Sequence, residues 1–488
     1  MRCLVLASAI LFGILSILSA PALAAFLSDV GDLRARHNAQ ILSDRGCSPD
    51  IANTWPMSNS YFTSSPSNVT CAQAPQAPRL FNSDSRALLT VAGGNAEPVF
   101  RGYGDQPRER GEVTLAVTGG GDRFGWHLEA SAIDARRDDD HARLDGSWVA
   151  VRAGGWLWGA GAIDRWWGPG WYSSTVLSSN ARPVPSLWLT RDAAVASELP
   201  VVRWLGPWDL TLFGGALEAH RAVPNAKLLG ARFSFKPWSN LEVGLSRLAQ
   251  WGGEGRPETF GSLWNLIIGK DNGETSGFAD GEDPGNQLGS ADVRLGIPLE
   301  ESTVGVYFQL TGDDEAGGLP SKYAGLAGVD WATQFGAGQQ RWILEASNTI
   351  AGGWIGDDRL LTTYEHSTYK TGLRYEGRNI ASTWERDADV VTLGAMFFLP
   401  RYEISVNYSE AELNKADRMR PAAATSGAPL VMSSNRQKLG VWGASISMPI
   451  QRHLIAIQAQ YLDEPVPLVS GGFEQTTVTA SWTYAFGG

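Results

Sequence analysis

Beyond Ala24 the chain has no run of about 18 apolar residues, so it offers no further helix long enough to cross a membrane. Charge is also scarce. Asp, Glu, Lys and Arg make up 19% of the 488 residues, against roughly 25% in an average soluble protein. Basic residues form no cluster and the formal charge is −11. That excludes nucleic acid as a partner, because neutralising phosphates takes grouped Lys and Arg. The six His are scattered, with no pair at metal-ligand spacing. H-E-x-x-H, G-x-S-x-G, P-loop and G-x-G-x-x-G motifs are all missing. Nothing calls for a metal, a cofactor or catalysis, so the chain reads as a non-enzyme. No internal repeat is evident.

Glycine and tryptophan are plentiful. The 56 Gly and 20 Trp, beside only 6 Met, speak against disorder, which needs high charge and few aromatics. Residues 1–24 read as a secretory signal. Arg2 precedes an apolar run from Leu4 to Leu18, and Ala22-Leu23-Ala24 has the small-x-small form of a cleavage site. Two cysteines then remain, Cys47 and Cys71. In an oxidising compartment they are expected to pair, worth about 3 kcal/mol by loss of chain entropy.

From residue 84 to 488 the chain alternates with period two. Val478, Ala480, Trp482, Tyr484 and Phe486 interleave with Thr477, Thr479, Ser481 and Thr483. Val304, Val306, Phe308 and Leu310 do so with Gly305, Tyr307, Gln309 and Thr311. Similar segments, Tyr369–Tyr375 among them, bring the total to about 16 to 18 strands. Their polar face is Ser, Thr, Gln, Gly and Asn rather than the Lys and Glu of a soluble sandwich. Trp208, Phe235, Trp238, Tyr375, Tyr402, Trp482 and Tyr484 fall near strand ends, as in an interfacial girdle. The fold class is therefore all-β, a large antiparallel transmembrane barrel of about 18 strands. A closed barrel has no free edge, so a monomer surrounded by outer-membrane lipid is expected. Residues 25–83 form a separate N-terminal segment. There Asp29 is expected to cap a helix with Val30, Leu33, His37 and Ile41 on one stripe and Gly46 as its stop. A loop carrying the disulfide follows.

Two stretches are dense in aromatic and hydrogen-bonding residues. One contains Arg165, Trp166, Trp167 and Trp171 and runs on to Asn180 and Arg182; the other contains Gln250, Trp251 and Arg256. Trp offers a broad apolar face for a sugar ring, and Arg, Asn and Gln bond hydroxyls and carboxylates. The same residues also suit the filling of a barrel interior. They are candidates for polysaccharide binding or for lumen closure.

The blocks Asp164-Arg165-Trp166-Trp167-Gly168-Pro169-Gly170 and Leu177-Ser178-Ser179-Asn180-Ala181-Arg182-Pro183 closely resemble the Wzi-type capsule assembly proteins. So do Gln250-Trp251-Gly252-Gly253-Glu254-Gly255-Arg256-Pro257, Asp283-Pro284-Gly285-Asn286-Gln287, Tyr364-Glu365-His366 and, near the start, Thr54-Trp55-Pro56. The resemblance implies an outer-membrane barrel with a helical periplasmic piece and a blocked interior. It also implies a lectin-like, non-enzymatic role in holding capsular or exopolysaccharide at the cell surface. Ser179 stands where the family usually has Asn. The alternative reading is an outer-membrane channel for sugars or oligosaccharides, lined by the same Arg and Trp residues.

Overall fold

The computed structural model describes residues 26–486 apart from 29, 59–86, 105–106, 135–139, 269–284, 313–314, 317–318, 321, 420–429, 470 and 473. The signal segment, Asp29 and Cys71 lie outside the described residues. Cys47 is disulfide-bonded.

Eighteen long strands form one closed antiparallel barrel. In chain order they are β1 Ala87–Gly94, β2 Gly111–Gly120, β3 Phe124–Ile133, β4 Trp148–Ala153, β5 Trp156–Gly161, β6 Ser186–Arg191, β7 Pro207–Ala216, β8 Lys227–Trp238 and β9 Leu241–Trp251. Then come β10 Gly285–Pro298, β11 Ser302–Gly312, β12 Tyr323–Phe335, β13 Gly338–Asn348, β14 Asp389–Phe398, β15 Glu403–Leu413, β16 Gln437–Ile450, β17 His453–Leu462 and β18 Thr476–Phe486. β1 closes the ring against β18, with Ala87 opposite Phe486. One end carries tight turns such as Gly154-Gly155, Ser239-Asn240 and Gln451-Arg452. The other end carries the long connections, among whose described residues are 162–185, 252–268, 349–388 and 430–436.

The alternation reads out directly as inside and outside. In β18, Thr477 and Thr479 are buried while Val478 and Trp482 are exposed. In β11, Tyr307, Gln309 and Thr311 are buried and Val306 is exposed. Outward residues meet across strands in a continuous belt: Leu295 opposes Val306, which opposes Val329, then Leu344, then Leu393. All five are exposed. An apolar band this wide suits lipid, not water. Inward hydroxyls pair across neighbouring strands, as in Thr90–Thr483 at 2.9 Å and Thr392–Ser409 at 2.8 Å.

Three barrel strands escape the period-two reading: β1, β6 and β12. In β12 the run Tyr323-Ala324-Gly325-Leu326-Ala327-Gly328 is so rich in small residues that no polar face stands out. Tyr369–Tyr375 is not a barrel strand. Only Arg374–Tyr375 is extended, paired with Arg378–Asn379 inside the 349–388 segment. Tyr369, Thr371, Leu373 and Tyr375 are all buried there, so the alternation reflects packing within a plug. Tyr375 consequently takes no part in an aromatic girdle. At the turn end, Trp208 faces Phe235 across the β7–β8 pair, and Trp482, Tyr484 and Phe486 form a ring series.

The N-terminal helix, α1, spans Leu33–Asp44. Its cap is Asp32, whose carboxylate accepts from the Ala35 N–H at 2.8 Å, and Gly46 ends it at φ +67°. The expected start at Asp29 is three residues too early. The helix lies within the turn end of the barrel and is buried on nearly every side, Arg34, Arg36, His37 and Asp44 included. A second helix, α2, spans Phe260–Ile267. It lies along the outer surface of the wall: outward-facing Arg247 and Gln287 donate to the Leu266 carbonyl, and Trp251 donates to Ser262.

Candidate functional site

The barrel interior is filled by three layers of chain, and most residues singled out from the sequence belong to them. At the turn end, α1 is tied to the wall by charge. Asp44 takes both ends of the Arg294 guanidinium at 2.9 and 2.7 Å. Arg294 also reaches Asp330 at 2.6 Å, and Arg341 pairs with the other Asp330 oxygen. Arg34 bonds Glu403 and the carbonyls of Leu399 and Tyr402.

The middle layer is the 162–185 segment. Its Trp166-Trp167 pair forms a two-residue ladder with Thr54-Trp55. Glu345 anchors it from β13, accepting from the Trp171, Tyr172 and Ser173 N–H groups and from the Tyr307 hydroxyl. A carboxylate holding three successive amides fixes the backbone as a capped helix end does. Gly168 has φ +119°, and a side chain there would strike Gln309. This explains the glycine in Trp166-Trp167-Gly168-Pro169-Gly170 without any ligand. Arg36 of α1 lies between the Tyr103 and Trp171 rings, 4.3 and 4.4 Å from their centres, and so joins the first two layers.

The loop-end layer is the 349–388 segment. Arg374 makes a two-pronged pair with Glu385 at 2.9 and 2.7 Å and also reaches Glu365 at 2.9 Å. Arg386 bonds Glu365 and Asp387. Tyr364 donates to the Thr175 carbonyl, which stitches this layer to the one below.

Trp166, Trp167, Trp171, Asn180 and Gln250 are buried within these layers. Asn180 donates to the Asn379 carbonyl and Gln250 to that of Gly372. Arg165 is buried over the Phe213 ring and bonds the Ile163 carbonyl and Ser186. Burial pushes its guanidinium down to about 9. Trp251 faces the outer surface against α2. Arg256 and Arg182 are only partly buried. Arg182 sits at the loop-end rim, paired with Asp145 and Asp140, each at 2.8 Å. The candidates therefore do not converge on one exposed site. Among the described residues no cluster of His, Cys, Asp and Glu could hold a metal ion.

The sequence reading missed the charged residues that hold these layers. Arg294, Asp330, Arg341 and Glu345 occupy inward positions between outward Val293, Val329, Trp331, Trp342 and Leu344. A single charge flanked by large apolar residues, as in Val293-Arg294-Leu295 and Val329-Asp330-Trp331, was the available signal.

His37 gives this network a pH dependence. The Gln339 Oε1 lies 2.6 Å from its Nε2, and Arg341 Nε donates to its Nδ1 at 3.1 Å. Its ring is therefore neutral with the proton on Nε2, since protonating Nδ1 would set two donors face to face. Burial first, then the Arg341 charge, hold it well below the usual 6.5, against the opposing pull of Gln339 and Asp330. The unfolded chain thus binds the proton first. The stabilisation is complete above pH 6.5 and falls by about 1.4 kcal/mol per pH unit below it, until the folded ring titrates. Protease release of α1 should accelerate between pH 7.5 and 5.0, and His37→Gln should flatten that dependence. An unchanged slope in the variant would assign the effect to another group.

The family described as Capsule assembly protein Wzi matches residues 83–478. A Klebsiella pneumoniae protein described as an uncharacterized 55.8 kDa protein in the cps region is 32% identical over 354 residues, covering 70% of this chain and 69% of its own. A solved structure described as Wzi, an outer membrane protein involved in group 1 capsule assembly in Escherichia coli and a carbohydrate-binding β-barrel, superposes with a TM-score of 0.79 at 24% identity. It covers 95% of this chain and 100% of its own.

Proposed function

Because the chain belongs to the Wzi family of capsule assembly proteins, we propose that it binds capsular or exopolysaccharide at the outer membrane of a Gram-negative cell and helps attach it there, without catalysing a reaction. The observation that carries this reading is the filled interior. Three layers, each with bonds of its own to the wall and joined to one another, occupy the lumen, so a long polymer has no path through it and meets the loop end instead. Outer-membrane barrels place tight turns in the periplasm and long loops outside. On that rule α1 and the disulfide segment are periplasmic, while the rim bearing Arg182 is extracellular. The carbohydrate-binding barrel of Escherichia coli has the same fold. Retention would come from many weak contacts along one polymer, each raising the effective concentration of the next.

Deleting the gene, with wild-type complementation, tests this. Polymer should still be made but should shift from the cell-attached to the released fraction. Unchanged attachment with reduced uptake of a sugar would favour a channel instead. The purified protein in a planar bilayer should give no steady large conductance.

A further inference from the structure

The three layers do not fill the barrel evenly. A cavity of about 280 Å³ remains between the 162–185 segment and the inner face of β2–β4. We propose that it is a sugar-binding pocket that takes one neutral residue, or the terminal residue, of the polysaccharide. This rests on the binding reading above and assigns it a location.

Below, Leu27 and Ser28 line the cavity, and Phe26 packs on Trp148 with ring centres 6.4 Å apart. Arg152 covers the far side of Phe26 at 4.4 Å. Above, it reaches the rim already described. Asp145 and Asp164 line it, and Arg182 pairs with Asp145. The block Asn180-Ala181-Arg182-Pro183 thereby acquires a role beyond lumen filling. Arg108 pins its backbone through the carbonyls of Ser179 and Ala181, at 2.9 and 2.6 Å.

The lining has the chemistry of hydroxyl recognition. Trp148 and His127 stack nearly parallel, 18° apart, and provide an aromatic wall for the C–H face of a sugar ring. The Glu112 carboxylate accepts no hydrogen bond among the described residues, although it lines the cavity. Its two oxygens have room for more than one hydrogen bond, and adjacent hydroxyls of a pyranose supply two partners. Thr114 and Ser131 bond each other at 2.8 Å, which leaves one hydroxyl proton to share.

Charge decides the class of sugar. The cations around the cavity are committed: Arg108 to Asp164, Arg143 to Glu109, and Arg182 to Asp140 and Asp145. The remaining lining acids, Glu112 and Glu129, supply no cation, and Glu129 lies beside His127. A uronate or a sulfated sugar would find no cation free to pair with it, so the pocket selects a neutral residue. Its volume lies at the lower limit of ligand pockets, about 300 Å³, which suits a single ring.

The test uses the full chain in detergent and the surface polysaccharide extracted from the producing cells, with binding read from intrinsic tryptophan fluorescence. Wild type should bind the polymer. Glu112→Ala should weaken binding at least tenfold, and Thr114→Trp, which fills the cavity, should abolish it, both with wild-type heat-modifiable migration in gels. In parallel, carbodiimide labelling of Glu112 in the wild-type protein should be blocked by the polymer, a readout that needs no variant. If wild type binds and both variants bind equally, or Glu112 labels equally with and without polymer, the pocket is overturned and the polymer sits elsewhere on the loop end. Equal binding of a polymer built only from acidic sugars overturns the neutral class. If wild type itself does not bind, the binding reading falls, and the pocket with it.

Discussion

Replacing Asp330 with alanine is expected to release α1 from the barrel. Asp330 is the carboxylate shared by two buried guanidinium groups, Arg294 and Arg341, and it also accepts from the Trp171 indole at 3.3 Å. Without it Arg294 keeps Asp44, but Arg341 is left with His37, whose ring cannot neutralise it. Removing one partner of a buried ion pair costs about 3–5 kcal/mol, because the other charge stays desolvated. The least costly escape is for α1 to leave and let water reach Arg341. Trypsin should then cut after Arg34 and Arg36, both buried in the wild-type fold. Where opening is fast relative to cleavage, about 3 kcal/mol is a rise of about 100-fold in the rate. Asp330→Asn keeps the volume but not the charge and should behave similarly. Cleavage at the wild-type rate in both variants would show that the helix is held by packing rather than by this network.

How much of this could be read beforehand follows from the range of the interactions. Strand alternation is local, so the barrel was legible wherever outward residues were large and inward ones polar, as in β11 and β18. It was not legible in β12, where Ala and Gly occupy both faces. Nor was it in Tyr369–Tyr375, where a buried plug imitates a strand. The family blocks were legible, and their neighbourhood was read as either filling the lumen or meeting ligand. Sequence could not separate the two because the deciding partners are remote. Gln309 meets the side of Gly168, Glu345 gathers Trp171 to Ser173, and Asp44 finds Arg294 at a separation of 250 residues. The helix illustrates the same point. Its apolar stripe was visible, but its polar face, which suggests a solvated surface, is buried because the surrounding wall supplies the counter-charges.

Arg374→Ala is expected to loosen the loop-end layer and yet leave the barrel closed. Arg374 is fully buried and binds two carboxylates and the Thr371 carbonyl. Burial opposes its charge, but Glu365 and then Glu385 hold its guanidinium above the usual range. Truncation leaves Glu365, Glu385 and Asp387 facing Arg386 alone, a net buried charge of about −2, with a cost again of about 3–5 kcal/mol. The 349–388 segment should become open to proteases. The layer beneath it is fastened separately, through Glu345 and the Thr54-Trp55 ladder, and α1 is fastened by Asp330. Obstructions in series add as resistances, so opening one leaves the others in control. Asp330→Ala and Arg374→Ala should each show little bilayer conductance, and adding Glu345→Ala to both should produce a jump far larger than the sum of the single effects. A large steady conductance from Arg374→Ala alone would mean that the loop-end layer is the seal and that the two below it already pass ions.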